Sequence, residues 1–185
     1  TQIDALAAHG MHFTQAYAAC AVCSPSRAAL MTGKYPARLH ITDYIPGEPI
    51  PQNSRFRVPD WTEHLPLEET TLPEALKELG YATCHIGKWH LGEAKGMRPE
   101  DQGFDESLGF MAAASKYQPD TAGPDARLPG DPLDRFLWLA LDDGVQFNGS
   151  PPFHAGGYMT DYLSDEASQV IRANRNRPFF LYLAF

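Results

Sequence analysis

Cys23 and Arg27 lie four residues apart in the string Cys23-Ser-Pro-Ser-Arg27-Ala-Ala-Leu-Met-Thr-Gly33. The punctuation predicts a helix: Ser24 can cap it, Pro25 suits its first turn and Gly33 its C-terminal cap. Cys23 then sits at the amino end, where unpaired N–H groups and the helix dipole favour negative charge. A thiol there is activated, and an anionic substrate is drawn to the same place. Arg27, one turn on, can swing back and offer paired donors to a tetrahedral oxyanion. The plain alternative is a buried free cysteine beside a surface arginine. Against it, a Cys-x-Pro-Ser-Arg string arises by chance in a chain of this length only on the order of once in a thousand.

A second group is Lys88 and His90, in Gly87-Lys-Trp-His-Leu-Gly92. They follow Tyr81 to Ile86, a stretch with strand character, so in extended geometry both side chains leave on one side. A lysine and a histidine at a strand's carboxyl end suit anion binding and proton transfer, and the flanking glycines allow close backbone approach. The alternative is a solvated loop with a packed Trp89.

Helices alternating with short apolar strands must position these residues, which predicts an α/β fold with a mostly parallel sheet flanked by helices. Ile3, Leu6 and Ala7 have helical spacing closed by Gly10 as a left-handed cap, and Met11 to Ala18 is a strand candidate. Prolines 46, 49, 51, 59 and 66 make residues 40 to 70 a long surface excursion. Thr71-Leu-Pro-Glu74 is a capping box opening a helix that ends near Gly80. Tyr158 to Asn174 returns to helical spacing, with Asp161, Asp165 and Glu166 on a solvated face. Phe179 to Phe185 reads as a buried parallel strand.

With 15 Lys and Arg against 23 Asp and Glu, the net charge is −8, and no basic block could track a nucleic-acid backbone. Nucleic acid is therefore excluded as a partner. The longest apolar runs fall far short of the roughly 20 residues of a membrane span. Three cysteines cannot all pair, so the redox compartment stays open.

Together these residues resemble the formylglycine-dependent sulfatase family, in its bacterial arylsulfatase-like form. Cys23 to Lys34 is similar to the family's first signature, and Gly80-Tyr-Ala-Thr-Cys-His-Ile-Gly-Lys88-Trp-His90-Leu-Gly92 to its second. The similarity extends through Gln102-Gly-Phe-Asp105, Thr160 to Ala167 and Pro178 to Ala184, covering nearly the whole chain. It implies an alkaline-phosphatase-like α/β fold and hydrolysis of aryl or carbohydrate sulfate esters. By that resemblance a maturation enzyme converts Cys23 to formylglycine, whose hydrate attacks sulfur with one hydroxyl and expels sulfate with the other. Arg27 would hold the hydrate, and Lys88 and His90 would bind sulfate oxygens and the hydrate. Calcium would contact the formylglycine at position 23, its other ligands lying outside these residues.

On this reading residues 1–185 are part of a single catalytic domain, an N-terminal-region fragment truncated at both ends, and alone are expected to lack metal affinity and turnover. The family order puts the metal carboxylates before Cys23, so Asp142-Asp143-Gly144 is read as a turn. It also leaves Cys20 of the Cys20-Ala-Val-Cys23 pair as a core residue and not half of a redox or zinc site, and His64, Cys84 and His85 as structural or exposed. A periplasmic or secreted location follows by resemblance only. Two rivals remain: a catalytically inactive relative that binds sulfated ligands, and a phosphodiesterase or phosphonate hydrolase of the same superfamily. Specificity is expected in the loops at 40 to 70 and 97 to 157.

Overall fold

The computed structural model describes residues 1–47, 53–112, 115, 117 and 144–185. In order, the elements are α1 (Gln2–His9), α2 (Cys23–Thr32), α3 (Pro36–Leu39), α4 (Leu72–Glu78), β1 (Ala82–Lys88), a 3-10 turn (Pro99–Gln102), β2 (Glu106–Phe110), β3 (Gly144–Phe147), β4 (Phe153–His154), α5 (Met159–Ala173) and β5 (Phe179–Ala184). The sheet runs β4-β3-β2-β1-β5. Its centre is parallel, with Cys84 opposite both Glu106 and Leu181, and His85 opposite both Ser107 and Tyr182. The direction reverses at β3 and again at β4, so the expected parallel sheet carries an antiparallel extension on one side.

β1 is buried on both faces, and its alternation divides the core in two. On one face His85 and Thr83 lie with Phe180 and Tyr182 of β5, beneath a cluster of Ala28 and Met31 of α2, Trp89, Leu91 and Phe104. On the other, Ile86, Leu108 and Leu181 pack against Met159, Leu163 and Ala167, spaced four apart along α5. Thr83 Oγ1 donates to the Gly103 carbonyl at 2.8 Å and His85 Nδ1 meets Ser107 Oγ at 3.0 Å, while His85 Nε2 is buried without a hydrogen-bond partner.

The capping box forms as read, with Glu74 N–H bonded to Thr71 Oγ1 and the Thr71 N–H bonded back to Glu74 Oε2 at 2.7 Å. Gly33 ends α2 in the left-handed region at φ 68°, its N–H donating to the Ala29 carbonyl at 2.8 Å. Four expectations change. Gly10 ends α1 at φ −118°, outside the left-handed region. Met11 to Ala18 forms no strand; Met11, Phe13 and Tyr17 are exposed and the segment makes no sheet pairing. Gly144 begins β3 and is not part of a turn, while Asp142, Asp143 and the apolar run 136–141 lie outside the described residues. β5 is only partly buried, the remainder of the forecast for that strand holding in its parallel pairing with β1.

Gly87 and Gly109 stand side by side in register at the strand ends. A Cβ at Gly109 would lie 1.9 Å from the Gly87 carbonyl oxygen, and one at Gly87 would lie 2.0 Å from that of Ala184, with Gly87 also at φ 105°. Side chains there would wedge the central strands apart. Gly109→Ala is expected to destabilise the fold by about 3 kcal/mol or more, read as a lowered midpoint in denaturant unfolding; an unchanged midpoint would show that the strands can part without cost.

Candidate active site

α2 starts at Cys23, two residues before Pro25, the first helical position if Ser24 were the cap, and its N-cap is Val22, extended and without a side-chain cap bond. Ser24 does not cap. Its buried Oγ instead accepts the N–H of Ile45 at 3.1 Å, tying the loop after α3 to the start of α2. Cys23 is exposed there, on a helix end whose first N–H groups no capping side chain takes. One turn on, Arg27 is half-buried and points to the sheet: Nη1 donates to the Lys88 carbonyl at 2.6 Å and to the Tyr182 hydroxyl at 3.1 Å. Both hydrogens of that nitrogen are thereby engaged, and the edge carrying Nε and Nη2 remains for an anion.

Lys88 is the last residue of β1. The backbone then departs from the extended geometry expected for the pair, because His90 takes a left-handed φ of 59°. Its N–H still follows β2, donating to the Met111 carbonyl at 3.0 Å, and Trp89 is fully buried with its indole N–H on the Met97 carbonyl. His90 is buried, and its Nε2 donates to the Ile45 carbonyl at 2.5 Å. Both main-chain groups of Ile45 are therefore held, one from each motif. Burial pushes the His90 pKa down to about 4; the Ile45 bond opposes this, while the charges of Lys88 and Arg27 add to it. The ring is neutral at pH 7. Since a carbonyl only accepts, the proton sits on Nε2, and Nδ1, buried and without a partner, is left as an acceptor.

The ion pairs among the described residues join the N-terminus to Asp4, Lys34 to Glu69 and Lys77 to Asp105, so no described carboxylate neutralises Arg27 or Lys88. Two uncompensated cations, an open helix end, an exposed thiol and a neutral imidazole acceptor together suit attack on a tetrahedral oxyanion ester. No group of three or more His, Cys, Asp or Glu side chains that could hold a metal ion occurs among the described residues. Cys20 and Cys23 are both free, and the buried Cys84 thiol is pushed up to about 11, chiefly by desolvation, as in an inert core cysteine. His64 lies beside Gly92, and His85 is enclosed by Trp89, Phe104 and Tyr182. Asp161 and Asp165 are exposed on α5, with Glu166 partly so. The sequence reading missed the Ser24–Ile45–His90 tie and Tyr182. The first uses main-chain groups, which no motif displays; the second had one signal, a tyrosine near the carboxyl end of a strand.

A family model described as Sulfatase matches residues 1–185. The chain belongs to the sulfatase family. It is 36% identical over 190 residues to an arylsulfatase of Hemicentrotus pulcherrimus, covering 99% of the chain and 31% of that protein. Among solved structures it matches Ps i-CgsB with a TM-score of 0.74 and 32% identity, over 99% of the chain and 38% of that one. It also matches Ps i-CgsB in complex with k-i-k-neocarrahexaose, with a TM-score of 0.69 and 31% identity, over 93% and 36%. The chain thus spans about a third of the length of the sulfatases it matches. The α/β sheet with helices on both faces is the alkaline-phosphatase-like fold of these sulfatase structures. No helix among the described residues is long and apolar enough to cross a membrane.

In this member of the family His85, like His90, has its pKa pushed down to about 4 by burial. In the unfolded chain both return toward 6.5, so between pH 6.5 and 4 the unfolded state binds more protons and stability falls as pH falls. Each histidine is expected to contribute up to about 1.4 kcal/mol per pH unit across that window. Thermal unfolding from pH 8 to 4.5 checks this: the midpoint should be nearly level above pH 7 and drop below 6.5, and a level midpoint down to 5 would count against two neutral buried imidazoles.

Proposed function

We propose that the chain carries the nucleophile and the anion cradle of a sulfuric ester hydrolase, with Cys23 matured to formylglycine. The observations that support this most are an exposed Cys23 at the open end of α2, Arg27 one turn on and bonded to the Lys88 carbonyl, and His90, tied through Ile45 to Ser24, with its Nδ1 unsatisfied. Position 23 fits the modified residue: it is accessible to a maturation enzyme, and Nδ1 is a buried acceptor in want of a hydroxyl donor. Formylglycine supplies, as its hydrate, a nucleophilic hydroxyl for sulfur and a second one through which the aldehyde is regenerated.

The chain's own residues then divide the work. His90 Nδ1 accepts a proton from the hydroxyl at position 23. With its only N–H committed to Ile45, it has no donor left for a sulfate oxygen, so sulfate binding rests on Lys88 and Arg27. The Lys88 ammonium binds one oxygen as a point charge, and the free edge of Arg27 offers two parallel donors to the charge that develops on the transferring group. The α2 amino end adds its unpaired N–H groups. Calcium is a different matter: these residues supply no oxygen cage, and in the longer protein its ligands would come from elsewhere in the chain. The relative Ps i-CgsB, solved with k-i-k-neocarrahexaose, supports a sulfated carbohydrate as substrate class.

The test uses the full-length protein from a host with the maturation enzyme. Mass spectrometry of the Cys23 peptide should find the aldehyde, and sulfate should be released from an aryl sulfate faster than phosphate from the matching phosphate ester. A plain thiol without sulfate release would overturn the reading in favour of a binding protein, and faster phosphate release in favour of a phosphoesterase. Cys23→Ala is expected to abolish turnover, and Lys88→Ala to lower kcat/KM by about 100-fold.

A further inference from the structure

Arg27 is held by two acceptors that belong to different strands. One, the Lys88 carbonyl, is main chain at the end of β1. The other is the Tyr182 hydroxyl on β5. Tyr182 is opposite His85 in the sheet register, and its ring is fixed from two sides, stacked on Phe104 at 6.3 Å between centroids and tilted against His85 at 5.8 Å. His85 is itself anchored to Ser107 Oγ at 3.0 Å. The hydroxyl thus comes from a ring with little freedom to turn away.

The stoichiometry of the guanidinium gives this contact its meaning. Nη1 carries two hydrogens, one taken by Lys88 and one by Tyr182. Without the hydroxyl, Nη1 has one donor unspent and the planar group can rotate about its remaining bond, turning its Nε–Nη2 edge away from the place an anion would occupy. His85 assists by staying uncharged: a cation in that position would repel Arg27.

We propose that Tyr182 is a positioning residue for Arg27, whose hydroxyl orients the guanidinium so that the Nε–Nη2 edge faces the transferring sulfuryl group. The catalytic half of this proposal rests on the sulfatase reading; the hold on Arg27 does not. Tyr182→Phe removes the hydroxyl and keeps the ring against Phe104 and His85, so packing and chemistry separate.

The experiment compares full-length wild type, Tyr182→Phe, Arg27→Lys and the double variant. Sulfate release from an aryl sulfate should show Tyr182→Phe losing about 10-fold in kcat, KM changing by less than about 3-fold and the thermal midpoint staying within about 2 °C. In the Arg27→Lys background the same change should cost less than about 2-fold, since residues acting through one group are not additive. Wild-type kcat in Tyr182→Phe, or losses that multiply in the double variant, would overturn the proposal. A second readout needs no turnover: modification of Arg27 by phenylglyoxal, followed by peptide mass spectrometry, should be several-fold faster in Tyr182→Phe. An unchanged rate would overturn the hold on Arg27 even if wild type releases sulfate. If wild type releases none, the sulfatase reading and the catalytic half fail together, while the modification rate still decides the hold.

Discussion

A strand buried on both faces must bond its polar side chains within the interior, and β1 is buried on both faces. Thr83 and His85 bond sideways, to the Gly103 carbonyl and Ser107, and so bind β1 to the segment leading into β2 and to β2 itself. That settles which face each residue takes, and every other assignment follows. The face with His85 receives α2, bringing Arg27 to the sheet; the face with Cys84 and Ile86 receives α5.

At its carboxyl end the same strand must let backbones come close. The neighbouring glycines at 87 and 109 allow this, and beyond them the chain turns through His90 in a left-handed conformation. The turn keeps His90 from simply alternating with Lys88. One residue becomes a buried, neutral acceptor; the other keeps its ammonium outside the network, with its carbonyl given to Arg27. Two basic side chains two positions apart thus end in different surroundings through backbone geometry alone.

Much of this was legible from residue order. The Thr71–Glu74 capping box, the Gly33 cap, the spacing of Leu163 and Ala167 on α5 and the apolar run of β5 are local signals, and they produced the elements they announced. The four candidate site residues at 23, 27, 88 and 90 stand out for the same reason, being confined to two short strings. What escaped depends on contacts far apart in sequence. Ser24 looked like a cap because serine before a proline in a first turn usually is one; the loop amide of Ile45 outcompeted the helix for its oxygen. Met11 to Ala18 alternates as a strand should, but periodicity cannot say whether a neighbouring strand exists to pair with it.

The tie at Ile45 uses only an N–H and a C=O, and its side chain takes no part in it. Any residue except proline, which has no N–H to give, satisfies those two bonds equally well. The identity of position 45 and the length of the proline-rich segment after it are therefore free to drift, while the distance between the serine of the first motif and the histidine of the second stays fixed. The two bonds thus hold Ser24 and His90 in relation to each other while leaving the side chains of the loop open to change.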